Sequence, residues 1–237
     1  MFNENLHNQL EMFSVTHLLT LAFFVLIIVT LYLVRSKISG PKFEKWFRLA
    51  LGSFLLIFET SYHIWVYSRG GYNIGMLPLL GFCALTNLLT IIALLANKPK
   101  MFNYLIYYAI IGAFFSLIFI DTTWAFPHFR FFHYFLEHFG FLIASLYYYF
   151  TKKLTIDFTN FKRATALLFV YNLGILVVDL IFQENWFYLL ENPVAAISDF
   201  FGAPFYTILW ILFITLFMVF LYFLLRGFRR EKKSEAV

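Results

Sequence analysis

Long apolar stretches alternate with short polar segments along the whole chain. The hydrocarbon core of a bilayer is about 30 Å thick, and an α-helix needs about 20 apolar residues to cross it. Seven stretches reach that length, so the pattern predicts an all-α membrane protein, a single domain over residues 1–237 that forms a bundle of seven transmembrane helices. The predicted spans are Thr16–Val34, Phe47–Tyr67, Met76–Ala96, Asn103–Ile120, Phe131–Phe150, Thr165–Phe182 and Pro204–Leu225.

The basic residues fall on alternate connections between these stretches. Every Lys and Arg except Arg69 and Arg130 follows the first, third, fifth or seventh stretch, Lys153 among them. Because cytoplasmic loops are enriched in Lys and Arg, the N-terminus is expected outside the cell and the C-terminus in the cytoplasm. The chain is therefore expected to be a multi-pass protein of the cell membrane.

Composition supports a membrane protein and excludes several other classes. The chain has 237 residues, of which 62% are hydrophobic, 34 are Phe and only 13% are charged, too few for the surface of a soluble domain. The net charge of +5 does not indicate a nucleic-acid partner, because orientation and anionic lipid account for the basic clusters. Membrane phospholipids are the expected partners. The sole cysteine, Cys83, excludes an internal disulfide, and no Lys lies within a span to carry a retinal-type Schiff base.

Ionisable side chains are concentrated in the aromatic run FPHFRFFHYFLEHFGF, residues 126–141. Each such group costs roughly 2.5–3.5 kcal/mol in hydrocarbon, so several at one depth indicate a functional site. Three spans place polar groups at the level of the predicted outer leaflet, and Glu59, Cys83 and His138 lie roughly 10–12 Å below the outer surface. His63 lies one helical turn above Glu59, and Asn87 lies one turn below Cys83. The fifth span adds His133 and Glu137, which are four residues apart, with Arg130 nearer the surface.

The chemistry of these groups leaves a functional and a structural interpretation open. A thiol close to an imidazole is typical of a nucleophile with its general base. A buried cysteine also often packs as a small apolar residue, and a buried histidine often joins helices through hydrogen bonds. Equal depth alone does not decide between the two, since the rotation of each helix about its axis is unknown.

Several short motifs carry a resemblance that covers most of the chain. They are Leu77-Pro78 leading into Cys83, the run Pro127–Phe132 followed by His138, Asn185–Leu189, Asn192-Pro193, Ser198-Asp199 and Gly202–Tyr206. Together they resemble the bacterial YwaF-type integral membrane family, which is similar to the eukaryotic transmembrane protein 164. That protein is described as a cysteine-dependent acyltransferase that moves fatty acyl chains between phospholipids. The resemblance implies Cys83 as the nucleophile and His138 as its base.

The leading hypothesis is therefore a membrane-embedded lipid acyltransferase or acyl hydrolase that works at the level of the outer leaflet. In this hypothesis Arg130 would hold the substrate phosphate, because a guanidinium pairs well with phosphate oxygens. Asn87 would orient His138 or donate to the oxyanion. A thiol mechanism requires neither a metal ion nor a cofactor, so none is expected.

Two alternatives use the same polar residues differently. In a metal-dependent lipid amidase, Glu59 with His63 and His133 with Glu137 would supply ligands, because residues four apart share one face of a helix. In a transporter or a member of an envelope-assembly complex, the polar groups would line a substrate site or form a structural hydrogen-bond network.

Overall fold

The computed structural model describes residues 10–120, 122, 124–152, 154–191, 200–202 and 205–234, with side chains up to residue 228. Among the sequence features, Lys153, Asn192-Pro193, Ser198-Asp199 and Ala203-Pro204 lie outside the described residues. Within the described ranges there are seven α-helices, two short 3₁₀ helices and no strand. The helices are α1 Val15–Leu33, α2 Pro41–Ser68, α3 Phe82–Leu95, α4 Phe102–Ile118, α5 Phe129–Thr151, α6 Phe158–Phe182 and α7 Phe205–Ser234.

This architecture confirms the prediction of an all-α membrane protein with seven helices. In the described part of the chain, five segments are long and apolar enough to cross a membrane, namely α1, α2, α4 with the turn before it, α6 and α7. Helix α5 has 23 residues and carries the ionisable groups of the aromatic run, most of them buried. The predicted orientation, with the N-terminus outside, stays a prediction that depends on the distribution of basic residues.

The third helix is shorter than the sequence pattern predicts. The predicted span begins at Met76, but Ile74–Met76 form a 3₁₀ helix and α3 begins only at Phe82. Pro78 explains the difference, because proline lacks a backbone N–H and keeps the residue before it extended, as Leu77 is here. Helix α3 therefore has 14 residues and a length of about 21 Å. Cys83 lies in its first turn rather than well inside a longer helix.

The helices group into two compact units. The first unit contains α1, α2, α4, α5 and α3 from Cys83 onward, and α5 lies against α4, α2 and α1 within it. The second unit contains α6, α7 and Leu79–Phe82, and α6 packs against α7. At the end of α6, the buried Asp179 carboxylate accepts a hydrogen bond from the Trp186 N–H at 3.1 Å and fixes the chain that follows. That the whole chain forms a single domain stays a prediction.

Polar contacts join the helices of the first unit at their ends. His17 of α1 is fully buried; its Nδ1 accepts from the Phe13 N–H at 3.0 Å, so its Nε2 donates to the carbonyl of Leu117 in α4 at 2.8 Å. Arg48 of α2 donates to the carbonyl of Leu94 at 3.1 Å. The last carbonyls of a helix have no donor within the helix, and a cation is favourable there. Arg48 therefore caps α3 from a neighbouring helix.

A glycine permits the close approach of α2 and α5. A Cβ atom added to Gly140 of α5 would overlap the side chain of Leu55 in α2. Leu55 is only 1% exposed, so its side chain has little space into which to move. Interhelical contacts in membranes commonly use small residues in this way. Gly140 thus sets the spacing of the two helices that carry most of the polar residues described below.

We expect Gly140→Ala to destabilise the protein by about 1–3 kcal/mol, because the added methyl group overpacks a filled interface. The measurement is the thermal unfolding temperature of the full chain in detergent. Gly174→Ala in α6 is the matched control, since nothing lies within 4 Å of its added Cβ atom. Alanine is the better helix former, so the control should unfold no lower than the wild type. Equal unfolding temperatures for the two variants would contradict a close contact at Gly140.

Candidate functional site

The Glu59 carboxylate of α2 joins polar groups from three helices. Its Oε1 contacts Nε2 of His63, one turn along α2, at 3.1 Å. Its Oε2 accepts a hydrogen bond from the Asn87 side-chain amide of α3 at 3.1 Å and faces Nε2 of His133 in α5 at 3.4 Å. A buried carboxylate requires such partners, because an isolated charge is costly in a low-dielectric interior. Helices α2, α3 and α5 are therefore held to one another through a single carboxylate.

The second ring nitrogen of His133, Nδ1, also has polar neighbours. Arg130 donates to His133 Nδ1 at 3.0 Å, and Glu137 Oε2 lies 3.7 Å from the same nitrogen. The Arg130 guanidinium lies over the Tyr62 ring at 4.3 Å, and the Tyr62 and His133 ring centroids are 4.2 Å apart. Arg130 is therefore held within the helices rather than directed outward as a surface residue. We call the residues Glu59, His63, Asn87, Arg130, His133 and Glu137 the carboxylate cluster.

The carboxylate cluster is partly buried, and some of its polar atoms lack hydrogen bonds. His133 is 2% exposed and Asn87 is 1% exposed, and the other members are partly exposed. Among the described residues, His133 Nε2, Asn87 Oδ1 and His63 Nδ1 have no hydrogen-bond partner. Buried polar atoms are nearly always satisfied in proteins, so three exceptions in one cluster require an explanation.

Cys83 and His138 belong to a second group of contacts beside the carboxylate cluster. The Cys83 sulfur lies 3.5 Å from the Ser116 hydroxyl of α4. The Tyr134 hydroxyl of α5 donates to the Ser116 carbonyl at 2.6 Å, and the Tyr134 carbonyl contacts His138 Nδ1 at 2.6 Å. We call these four residues the thiol group. Cys83 and His138 are therefore linked through Ser116 and Tyr134, and no hydrogen bond joins them directly within the described part of the chain.

The two groups adjoin each other along two helices. On α3, Cys83 and Asn87 are four residues apart and share one face. On α5, Tyr134 and His138 of the thiol group directly follow His133 and Glu137 of the carboxylate cluster. All eight residues named from the sequence thus fall in these two groups.

Three further residues take part that the sequence analysis did not name. Ser116 could have been found from the sequence, because it places a hydroxyl near the end of a mostly apolar helix. Tyr62 and Tyr134 are harder to find, because tyrosine is also common as an interfacial or packing residue. Their partners could be identified only from the rotation of the helices.

An apolar groove of about 470 Å³ lies on the first unit between α1 and α5. Aromatic side chains form much of its wall, including Phe24, Phe131 and Phe135. Those three residues belong to the buried core cluster against which Cys83 packs. Other lining residues such as Leu19 and Phe23 are exposed, so the groove opens at an apolar surface. A hydrocarbon chain is the kind of molecule that such a groove fits.

The sequence profile of the TMEM164 family matches residues 12–225 of this chain, which is most of its length. This match confirms the resemblance to transmembrane protein 164 expected from the motifs, whereas the resemblance to the YwaF-type family stays a prediction. None of the curated proteins and none of the solved structures matches the chain.

We expect Asn87→Asp to destabilise the protein by about 1–3 kcal/mol, because it replaces the donor to Glu59 with a second acceptor. Unfolding by a denaturing detergent measures the change. Asn73→Asp is the control, since Asn73 is exposed and its side-chain oxygen accepts from the Gly75 N–H at 2.9 Å, a role that aspartate keeps. This control should alter stability by less than about 0.5 kcal/mol. If both variants resist unfolding equally, Asn87 does not hold Glu59 as described.

Proposed function

Because the chain belongs to the TMEM164 family, we propose that it transfers or hydrolyses fatty acyl chains of membrane phospholipids, with Cys83 as nucleophile and His138 as base. The chain is a multi-pass membrane protein. The proposal adds that it resides in the plasma membrane and that its site lies at the outer leaflet.

The hydrogen bond between His138 Nδ1 and the Tyr134 carbonyl, at 2.6 Å, is the observation that carries the proposal. A carbonyl oxygen can only accept, so Nδ1 carries the ring proton and Nε2 has a lone pair. A histidine oriented in this way is ready to accept a proton at Nε2, as the base of a catalytic pair must. The same tyrosine fixes Ser116, which contacts the Cys83 sulfur.

The position of Cys83 favours a charged sulfur. It lies in the first turn of α3, where backbone N–H groups have no acceptor within the helix itself and the helix dipole is positive. A thiolate rather than a thiol is the reactive nucleophile, and a helix N-terminus stabilises it. The thiol is half-buried and packs against the core cluster that contributes to the wall of the groove. An acyl chain in that groove would lie against the same core cluster as the sulfur.

The proposed reaction has two halves. His138 Nε2 removes the thiol proton, and the sulfur attacks the carbonyl carbon of a phospholipid ester. The bond from that carbon to the glycerol oxygen breaks, and the leaving oxygen takes the proton from His138. An acyl thioester on Cys83 remains. The hydroxyl of a second lipid then gives its proton to His138 while its oxygen attacks the carbonyl carbon of the thioester. The carbon–sulfur bond breaks, and the sulfur takes the proton back from His138, which restores the thiol. Water in place of the second lipid releases a fatty acid.

Lipid binding must bring the sulfur and the ring together, since Ser116 and Tyr134 join them in this structure. Catalytic hydrogen bonds are often long before the substrate binds and shorten in the complex. Arg130 has a different part in the proposal. Its guanidinium already contacts Tyr62 and His133, so it would hold the lipid phosphate only by leaving His133.

Cys83→Ala should abolish labelling of the purified protein by a phospholipid whose acyl chain carries a reporter group. Because Cys83 is the only cysteine, no other thioester can form. The label on the wild type should be removed by hydroxylamine, which cleaves thioesters. Thr90→Val is the control, since it changes a buried residue further along the same helix and should label fully. Labelling of Cys83→Ala at the wild-type level would exclude the nucleophile.

His138→Asn should slow thioester formation by about 10² or more, the usual contribution of a general base. Raising the pH should restore part of the rate, because hydroxide can then produce the thiolate without the base. His128→Asn is the control: His128 caps α5 by accepting from the Arg130 N–H at 3.1 Å, and asparagine can fill that role. If Cys83→Ala and His138→Asn both leave lipid composition and labelling unchanged in cells, a transporter or an interaction partner becomes the better interpretation.

A further inference from the structure

Two carboxylates and an imidazole of the carboxylate cluster converge on one point. Glu59, His133 and Glu137 each present a ligand atom, and the three atoms lie within 4.8 Å of one another. Glu59 comes from α2 and the other two from α5, so the point lies between two helices that Gly140 allows to approach closely. Oxygen and imidazole nitrogen are the ligands that zinc and related ions use in proteins.

Among the described residues, no lysine or arginine forms an ion pair with the two glutamates of the carboxylate cluster. Glu59 Oε2 lies 3.4 Å from His133 Nε2, Glu137 Oε2 lies 3.7 Å from His133 Nδ1, and the arginine of the cluster is Arg130. The guanidinium of Arg130 contacts His133 Nδ1 and the Tyr62 ring, and within the described residues it forms no ion pair with either glutamate. Carboxylates within a membrane segment normally require a compensating positive charge. Among the described residues, no lysine or arginine supplies that positive charge at the point where the ligand atoms meet.

We propose that Glu59, His133 and Glu137 bind one divalent transition-metal ion such as zinc. The independent observation is His133 Nε2: this atom belongs to a residue that is 2% exposed, lies 3.4 Å from Glu59 Oε2, and has no hydrogen-bond partner among the described residues. The ligand atoms lie up to 4.8 Å from one another, which is slightly farther apart than atoms that bind one ion at about 2.0–2.2 Å each. Binding of the ion therefore draws α2 and α5 together. This inference goes beyond the proposed acyl transfer and does not depend on it.

Neighbouring groups are arranged as the partners of metal ligands usually are. Asn87 and His63 hold the two oxygens of Glu59 and so fix the orientation of its carboxylate. Such outer contacts orient ligands and are as much a part of a metal site as the ligands themselves. With the ion on His133 Nε2, the ring proton moves to Nδ1. Arg130 then no longer donates to that atom and keeps its position over Tyr62.

The ion would hold the helices in position and take no part in the thiol reaction. It bridges α2 and α5 directly, and Glu59 connects it to Asn87 of α3. Cys83 lies one turn from Asn87, so the bound ion would fix the turn that carries the nucleophile. Zinc binding should therefore raise thermal stability, since any ligand that binds only the folded state does so.

The test is the zinc content of the full-length protein, purified in detergent, incubated with zinc and then freed of excess ion. We expect about one ion per chain for the wild type, and at least a tenfold loss of bound zinc in His133→Asn and in Glu137→Gln. Glu44→Gln is the matched control, because Glu44 is a carboxylate of α2 outside the cluster that accepts from Tyr148. This control should keep its zinc, and zinc should raise its unfolding temperature as in the wild type.

X-ray absorption at the zinc edge of the wild type requires no variant and gives a second test. Only oxygen and nitrogen neighbours are expected, and a sulfur neighbour at about 2.3 Å would place the ion on Cys83 instead. Cys83→Ala should lose acyl labelling yet keep its zinc, so failure of either proposal is distinguishable from failure of the other. A wild type without bound zinc, or equal zinc in Glu137→Gln and Glu44→Gln, would overturn the site.

Discussion

The burial of the Glu59 carboxylate is the constraint on which the first unit depends. A carboxylate inside a membrane segment must find donors or positive charge within the protein, because lipid offers none. Glu59 meets this requirement with hydrogen bonds to an amide from α3 and an imidazole from its own helix, and an imidazole from α5 lies beside it. Each partner fixes the rotation of the helix that supplies it. The carboxylate therefore decides which faces of α2, α3 and α5 point at one another.

The rotation of α5 then determines the surroundings of the thiol. Because His133 and Glu137 face Glu59, the residues that follow them, Tyr134 and His138, face the side where α4 packs. Tyr134 reaches Ser116 there, and Ser116 lies beside Cys83. The carboxylate cluster thus acts on the thiol group through helix geometry alone. One helix carries both an electrostatic network and a candidate base.

Much of the fold could be predicted from the sequence, because apolar length is a strong signal. That Glu59, Asn87 and His133 lie at one level of their helices was also predictable, since position along a helix follows from a constant rise per residue. Which of these groups touch was not predictable, because a sequence carries no direct record of helix rotation. That is why Ser116 and Tyr134 were not anticipated between Cys83 and His138. The late start of α3 was missed because Pro78 lies in a run that is apolar enough to continue a span.

The shortness of α3 has a consequence for the lipid around it. A helix of about 21 Å cannot match a hydrocarbon core of about 30 Å, and a bilayer responds to such a mismatch by thinning near the helix. Where the bilayer thins, the glycerol backbones of nearby lipids lie closer to the bilayer midplane, at the level of the helix end. At the end that carries Cys83, the ester linkages would then descend to the level of the sulfur. The protein would not need to lift a lipid out of its leaflet, since the deformed membrane would deliver it.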